Sequence, residues 1–237
     1  MNQYLEKKSQ SPLYQQLMHR LKNDIGAGIY PAGGRIPSEQ ELCDTYGVSR
    51  VTVRKAILDL VQEGLLVRKQ GKGTFVAGER LRRDLRHVTS FTEACAQRGS
   101  RSEARLISAQ LVPVAAEDAQ LLELPGDARV LELCRLRLCD GEAVMLEINR
   151  FPERYAFLKD EAAEGSLYAC LQRHGVMPAS AQHDISLGHA TPYVSKHLDT
   201  EVGDALLLLD ETVLDQHGEP LHLSRQWIRG DRFTFRI

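Results

Sequence analysis

The chain has 237 residues, 43% apolar and 26% charged, enough for two small domains or one large one with a real core. Its longest purely apolar run, Ala205–Leu209, is far too short to span a bilayer. The polar opening "MNQYLEKKSQSP" lacks the apolar stretch of a signal peptide, so a cytoplasmic protein with no membrane partner is expected. The net charge of −2 is unevenly spread: residues 1–78 carry 11 Lys and Arg against 7 Asp and Glu, whereas residues 87–237 carry 15 against 23. A basic front joined to an acidic back places any polyanion at the front. Five cysteines (Cys43, Cys95, Cys134, Cys139, Cys170) form no C-x-x-C pair, which speaks for reduced thiols rather than a disulfide framework.

In "PLYQQLMHRLKNDIGAGIY", Leu13, Leu17, Leu21 and Ile25 recur every fourth residue, with Tyr14 and Met18 beside them. That stripe predicts an amphipathic helix; Pro12 suits its first turn and Gly26–Gly28 its end. In "PAGGRIPSEQELCDTYGVS", Ser38 followed by Glu41 is a capping box, so a second helix starts at Ser38. Leu42 and Tyr46 give it an apolar side, and Gly47 stands at a sharp turn. Ser49 is placed to cap a third helix, "RVTVRKAILDLVQEG", with Val53, Ala56, Ile57, Leu60 and Val61 as its buried stripe. Val51, Arg54 and Lys55 point away from that stripe, with Arg50 and Thr52 flanking them. Two helices around a tight glycine turn, the second opening Ser-Arg-x-Thr-x-Arg, describe a helix-turn-helix. Hydroxyls at a helix N-terminus suit phosphates, and Arg suits guanine edges in the major groove.

After Gly64, Leu65–Arg68 and Thr74–Ala77 read as two strands. Their connection, "KQGKG", is a wing tip: Lys69 and Lys72 supply charge, and the glycines let the backbone approach a sugar-phosphate groove. There is no G-x-x-x-x-G-K-[ST] phosphate loop.

The stretch "PAGGRIPSEQELCDTYGVSRVTVRKAILDLVQEGLLVRKQGKGTFVA" resembles the winged helix-turn-helix of the GntR transcription regulators over roughly residues 10–78. The resemblance implies DNA contacts from Ser38, Gln40, Ser49, Arg50, Thr52, Arg54, Gly71, Lys72 and Gly73, and a homodimer on a palindromic operator. Dimerisation makes physical sense, because one winged domain with about six phosphate contacts binds weakly at cellular salt.

These signals divide the chain into a DNA-binding domain at 1–78, a linker at 79–87 and a second domain at 88–237. The linker, in "GERLRRDLRHV", is charged and has no sustained apolar stripe; Arg80, Arg82, Arg83 and Arg86 read as a solvated face, with contact to DNA backbone as the alternative. The second domain contains an internal repeat. "LPGDARVLELCRLRLCDGEAVMLEINRF" lies over "EVGDALLLLDETVLDQHGEPLHLSRQWI", matching Gly126 with Gly203, Leu131 with Leu208, Gly141 with Gly218 and Glu142 with Glu219. Each copy reads as a short helix (Ala115–Leu122; Pro192–Leu198), a Gly-Asp turn and a strand hairpin. Antiparallel strands with helices on one face make an α+β domain, and the duplication predicts a pseudo-twofold sheet with a site where the halves meet. The glycines and turn acids recur and read as scaffold. Arg135 and Arg137 do not: they align with Thr212 and Leu214.

Two guanidiniums on one strand face repel unless an anion lies between them, and Arg suits bidentate phosphate or carboxylate. Ser90 or Thr92 in "VTSFTEACAQRG" and Ser166 in "EGSLYACLQRHG" stand near predicted helix starts, which also favour anions, with Tyr168 close by. Glu147 on the partner strand either pairs with the arginines or accepts bonds from a sugar hydroxyl or an amine.

Residues 88–237 resemble the effector-sensing (UTRA) domain of the HutC branch of GntR regulators, a chorismate-lyase-like fold. The matching stretches are "SFTE", "LCRLRLCDGEAVMLE", "GSLY" and "GEPLHLSRQWIRGDRFTF". In sugar-phosphate-sensing members, the positions matching Phe91, Thr92, Arg135, Arg137, Ser166 and Tyr168 hold the phosphate, and the position matching Glu147 contacts the sugar. Two positions at the other end of the effector depart from the pattern: His222 stands where many members have Glu, and Ile228 where they have Tyr. "IGAGIYPAG", "LELCR" and His222 resemble regulators of Amadori-product use such as fructoselysine. The resemblance thus implies a repressor of a sugar or amino-sugar operon, released by a phosphorylated sugar, with a fructose–amino acid 6-phosphate favoured. A non-phosphorylated carboxylate effector is the alternative.

An enzyme is the rival class, given the lyase-like fold. No H-E-x-x-H or nucleophile elbow is present, the eight His residues have no metal-ligand spacing, and His183 and His189 read as surface or core. Arginines beside Glu147 would depress its pKa, the wrong direction for a general acid. No catalysis, cofactor or metal is expected.

Overall fold

In the computed structural model, which describes residues 5, 11–69, 71–78, 80–162 and 164–236, the chain forms two compact units, 1–79 and 80–237. Most of the polar opening, Gln70 of the wing, the side chain of Lys69, and Glu79 lie outside the described residues.

The first unit is three helices and a hairpin. α1 spans Leu13–Gly26, with Pro12 at the N-cap, just before the first turn. α2 spans Glu39–Tyr46 and begins with the expected capping box between Ser38 and Glu41. Gly47 follows in the left-handed region (φ 64), where a Cβ would be strained. Ser49 then caps α3, Arg50–Gln62, by accepting from the Thr52 N–H. β1 (Leu66–Lys69) pairs antiparallel with β2 (Gly73–Val76). Leu17, Leu21, Leu42, Val53, Ala56, Ile57 and Leu60 close one core. Each large apolar side chain buried there contributes about 1.5–3 kcal/mol, which lets such short helices persist. Val61, expected in the stripe, is only half-buried.

The second unit opens where a linker was expected. β3 (Leu81–Asp84) pairs in parallel with the C-terminal β10 (Phe233–Arg236). Its charge hid it: Leu81 and Arg83 alternate inward while Arg82 faces out. Next come α4 (Phe91–Ala96), β4 (Ser102–Pro113), α5 (Ala116–Leu121), β5 (Arg129–Cys139) and β6 (Glu142–Pro152). α6 (Leu158–Glu161), α7 (Leu167–Arg173), β7 (Pro178–His189), α8 (Pro192–Leu198), β8 (Ala205–Asp215) and β9 (Pro220–Ile228) complete the unit.

β4 to β9 form one antiparallel sheet in the order β4-β5-β6-β9-β8-β7. This order is the same read from either end: strand, α-helix and hairpin, twice, meeting at β6 and β9. The duplication is therefore visible in the topology, with Ile148 paired to Arg225 at the seam. The strand opening each copy, β4 or β7, was not legible in the sequence. Both are edge strands, β4 mostly half-buried and β7 mostly exposed, so neither shows the clean alternation of a strand with one buried face.

Helices cover both faces, not one. The repeated α5 and α8 pack on one face, against Val130 and Leu223 and against Leu136 and Leu146. The elements outside the repeat cover the other. α4, β3 and β10 pack over Met145, Leu209 and Ile228, and α6 and α7 over Leu131, Leu133 and Phe151.

The sheet register also corrects the repeat alignment. The β5–β6 turn is Asp140–Gly141, both at positive φ (51 and 80) as a two-residue hairpin requires. The β8–β9 loop takes one residue more, Gln216–Gly218, closed by the Asp215 N–H donating to Glu219 O at 2.9 Å. Bulges follow Arg137 in one hairpin and Val213 in the other. Arg137 thus matches Val213, and Arg135 matches Glu211. Thr212 and Leu214 face the opposite side, because a one-residue slip reverses every side chain of a strand.

Candidate functional site

α3 presents an exposed row to solvent: Arg50, Val51, Arg54 and Lys55. Most of these are held by neighbours. The Gln40 Oε1 accepts from Arg50 Nε and Nη2 at 3.2 and 2.6 Å. Glu39 pairs with Arg54 at 3.5 Å and also with Arg68 of the wing. Lys55 lies 4.4 Å from the Tyr14 ring centroid and 3.4 Å from Asp59, so it turns toward its own domain. Ser38 and Ser49 are occupied as helix caps, and Ser49 Oγ lies 2.9 Å from Thr52 Oγ1. Exposed pairs of this kind are worth about 0–1 kcal/mol, so a phosphate or base edge can replace them cheaply. In the wing, Gly71 and Gly73 have φ 68 and 119, and a Cβ on Gly73 would stand 2.8 Å from Arg35 Nε. Arg35 and Arg68 were not singled out in the sequence; both are brought to this region only by the hairpin.

In the second unit, a cavity opens on the sheet face beneath α4 and α7. Phe91, Thr92, Arg135, Arg137, Glu147, Ser166, Tyr168 and His222 all line it, whereas Ile228, expected beside His222 at the far end of the effector, lies instead in the core with Met145, Leu209 and Phe233. Arg135 and Arg137 share Glu147: Arg135 Nη2 donates to its Oε1, and Arg137 Nη1 does so at 3.3 Å. Arg135 also donates to the Gly165 and Ala162 carbonyls at 3.0 and 3.4 Å. Arg137 donates to Thr92 Oγ1 at 3.2 Å and lies 4.7 Å over the Phe91 ring. Ser166 caps α7, accepting from the Ala169 N–H at 3.2 Å, which leaves its O–H to donate.

Ser90, singled out with Thr92, also lines it, but the sequence did not point to the rest of the lining. Arg83 of β3 donates to both Glu211 oxygens, at 2.8 and 3.3 Å. His183 Nδ1 lies 2.9 Å from Glu211. Asn149, Ser224 and Gln226 supply uncharged polar groups. The signal that could have found them is register: once Arg135 and Glu147 are placed opposite each other, Gln226 follows on the next strand. Six buried atoms here, Arg83 Nε, Arg135 Nε, Arg137 Nε, Asn149 Nδ2, His222 Nδ1 and Gln226 Oε1, have no hydrogen-bond partner among the described residues. Clusters of unsatisfied buried polar atoms are rare unless a site uses them.

The lining carries three arginines against two glutamates. Burial opposes ionisation of Glu147, yet the two guanidiniums outweigh it and hold its carboxyl below the usual range. Glu211 is likewise buried, but His183 and Arg83 bring it down to about 2. His222 stacks on Phe151 (centroids 4.6 Å apart) and lies 3.1 Å from the Tyr168 hydroxyl. Burial lowers its pKa from 6.5 to about 4, so it is neutral at neutral pH. As pH falls from about 6.5 to about 4, the unfolded chain binds a proton at this position before the native one does. Stability should therefore drop through that window, and urea midpoints should show a shallower drop in His222→Gln. Equal slopes would refute the assignment.

A winged helix-turn-helix followed by a duplicated sheet domain with a cationic cavity defines a ligand-responsive transcription regulator. The chain belongs to the GntR family of bacterial regulatory proteins: residues 13–76 match that family, and residues 97–234 match the UTRA domain. Among its relatives is the HTH-type transcriptional regulator YurK of Bacillus subtilis, 35% identical over 97% of this chain and 96% of that one. Another is the probable fructoselysine utilization operon transcriptional repressor of Escherichia coli, 36% identical over 95% and 93%. The crystal structure of PhnF from Mycobacterium smegmatis superposes with a TM-score of 0.66 at 27% identity, covering 95% of this chain and 97% of that one. These relatives are regulators, which places this chain among regulators and not enzymes. No helix among the described residues is long and apolar enough to cross a membrane.

Proposed function

We propose that this regulator represses a sugar or amino-sugar catabolic operon and leaves its operator when a phosphorylated sugar fills the cavity. The observation that carries this is the pair of buried guanidiniums sharing one carboxylate, which leaves the cavity one positive charge in excess. Phe91, Thr92, Arg135, Arg137, Ser166 and Tyr168 form the phosphate end, while Glu147 and His222 meet the rest of the ligand. The similarity to a fructoselysine repressor and the neutral His222 favour a fructose–amino acid 6-phosphate. The DNA face is Ser38, Gln40, Ser49, Arg50, Thr52, Arg54 and the wing residues Gly71, Lys72 and Gly73, used by a homodimer on a palindromic operator.

The route between the two runs through β3. β2 ends at Val76 and β3 begins at Leu81, and Arg83 of β3 reaches into the cavity. A ligand that competes for Glu211 or Arg83 changes the position of β3, and with it the segment leading to the wing. Coupling of about 1.4 kcal/mol shifts operator occupancy tenfold.

Arg137→Ala tests the phosphate end. The variant should hold operator DNA like the parent but need more phosphorylated ligand for release. One charge-assisted hydrogen bond is worth about 1.5–3 kcal/mol, so the ligand requirement should rise about 10- to 150-fold. A normal response in a gel-shift titration would put the phosphate elsewhere.

A further inference from the structure

A second cluster of chemistry lies outside both sites, on α6 and α7. Glu161 closes α6, Cys170 lies inside α7, and His174 is the cap residue that ends α7. Cys170 and His174 are four residues apart, so they project from one side of the helix. Glu161 comes to them from the preceding element. Its Oε2 lies 2.9 Å from His174 Nε2 and 3.7 Å from Cys170 Sγ, and all three ligand atoms fall within 4.8 Å of one another. Phe157 packs against the His174 ring, centroids 4.2 Å apart, which holds the imidazole toward the other two.

We propose that Glu161, Cys170 and His174 form a binding site for a thiophilic divalent cation of the Zn²⁺ type. A tetrahedral zinc ion, with bonds of about 2.0 Å to N and O and about 2.3 Å to S, sets its ligand atoms about 3.3–3.6 Å apart. The two spacings to Glu161, 2.9 and 3.7 Å, match that to within about half an ångström, and Cys170 and His174 lie within 4.8 Å of each other, so side-chain movement alone can gather the three around an ion. The donor set is one thiolate, one imidazole and one carboxylate, with charge −2 once the thiol proton is displaced. Thiolate and imidazole together select zinc-like ions over Mg²⁺ or Ca²⁺, which take oxygen ligands. Glu161 and His174 are exposed and Cys170 is buried, so the ion enters from solvent and its fourth position is left to water.

No metal-ligand spacing was visible among the histidines, because only one histidine takes part and the third ligand comes from another helix. The location ties the cluster to the cavity. The segment joining α6 to α7 supplies the Ala162 and Gly165 carbonyls that hold Arg135, and α7 carries Tyr168. An ion bridging Glu161 to α7 pins this segment, and so presets one wall of the cavity.

The test uses the full chain, stripped of metal under reducing conditions, and Co²⁺ as a spectroscopic stand-in for Zn²⁺. One Co²⁺ per chain should bind with a thiolate-to-metal charge-transfer band in the near ultraviolet, and excess Zn²⁺ should abolish it. Cys170→Ser should lose the band. Because Cys170 is buried and its replacement can unsettle α7, His174→Gln, at an exposed position, is the second variant. Its affinity should fall by at least the roughly 10- to 100-fold that loss of even an outer-shell partner costs. Absence of the band in the parent, or its survival in Cys170→Ser, overturns the site. So does unchanged affinity in His174→Gln, which would reduce Glu161 and His174 to a surface ion pair.

Discussion

Glu147→Gln should unfold well before the parent in phosphate-free buffer and regain much of the loss when phosphate is added. In the native cavity the side chains of Arg135, Arg137 and Glu147 are only 2%, 4% and 8% exposed. Taking away the single carboxylate leaves two buried guanidiniums facing each other. Breaking a buried ion pair from one side costs about 3–5 kcal/mol. For a chain of this size that is roughly 6–20 °C in midpoint. Arg135 keeps its bonds to the Ala162 and Gly165 carbonyls, so the local fold survives while the charge goes unbalanced. Inorganic phosphate, entering between the guanidiniums, replaces the missing charge and should raise the variant's midpoint more than the parent's. If phosphate shifts both proteins equally, or neither, no anion binds between Arg135 and Arg137.

Arg54→Ala should cost operator affinity heavily and stability hardly at all. The Arg54 side chain is 66% exposed and its ion pair to Glu39, at 3.5 Å, is a surface contact. Its removal should change folding by no more than about 0.5 kcal/mol. A guanidinium reading a base edge is worth about 1–3 kcal/mol. On a palindrome the loss is taken twice, about 2–6 kcal/mol, or roughly 30- to 10⁴-fold in affinity. Fluorescence anisotropy on operator and on scrambled DNA separates the outcomes. A loss confined to the operator marks base readout, whereas an equal loss on both marks a phosphate contact. The thermal shift produced by effector should be unchanged; loss of that too would indicate misfolding.

The DNA-binding half was legible almost residue by residue, because its signals are local. The Ser38–Glu41 capping box, Gly47, the Ser49 cap and the stripe on α3 each act within a few residues. The repeat was legible for the same reason, through its turns. The one-residue error within it was also local in origin: the extra residue in Gln216–Gly218 shifts β8 against the matched glycines, and only pairing to β9 reveals it. What stayed hidden is what long-range pairing creates. Arg83 read as one charge among four on a solvated face, yet its parallel pairing with the far end of the chain turns it inward. Glu211 and Gln226 carry no signature of their own and become part of the cavity through register alone.

The pairing of Arg83 with Glu211 bears on how this protein can be taken apart. Glu211 occupies in the second half of the repeat the place that Arg135 holds in the first. Among the described residues, the guanidinium that neutralises it comes from β3, outside the duplicated halves. A sensing fragment begun at residue 88, where composition invites the cut, would discard a counter-ion together with a tether. It would bury Glu211 without its guanidinium, uncover the Leu81 side of Phe233 and leave β10 with no neighbouring strand. The natural seam for dissection lies ahead of Leu81, and residues 81–84 belong to the sensor as firmly as any strand of its sheet.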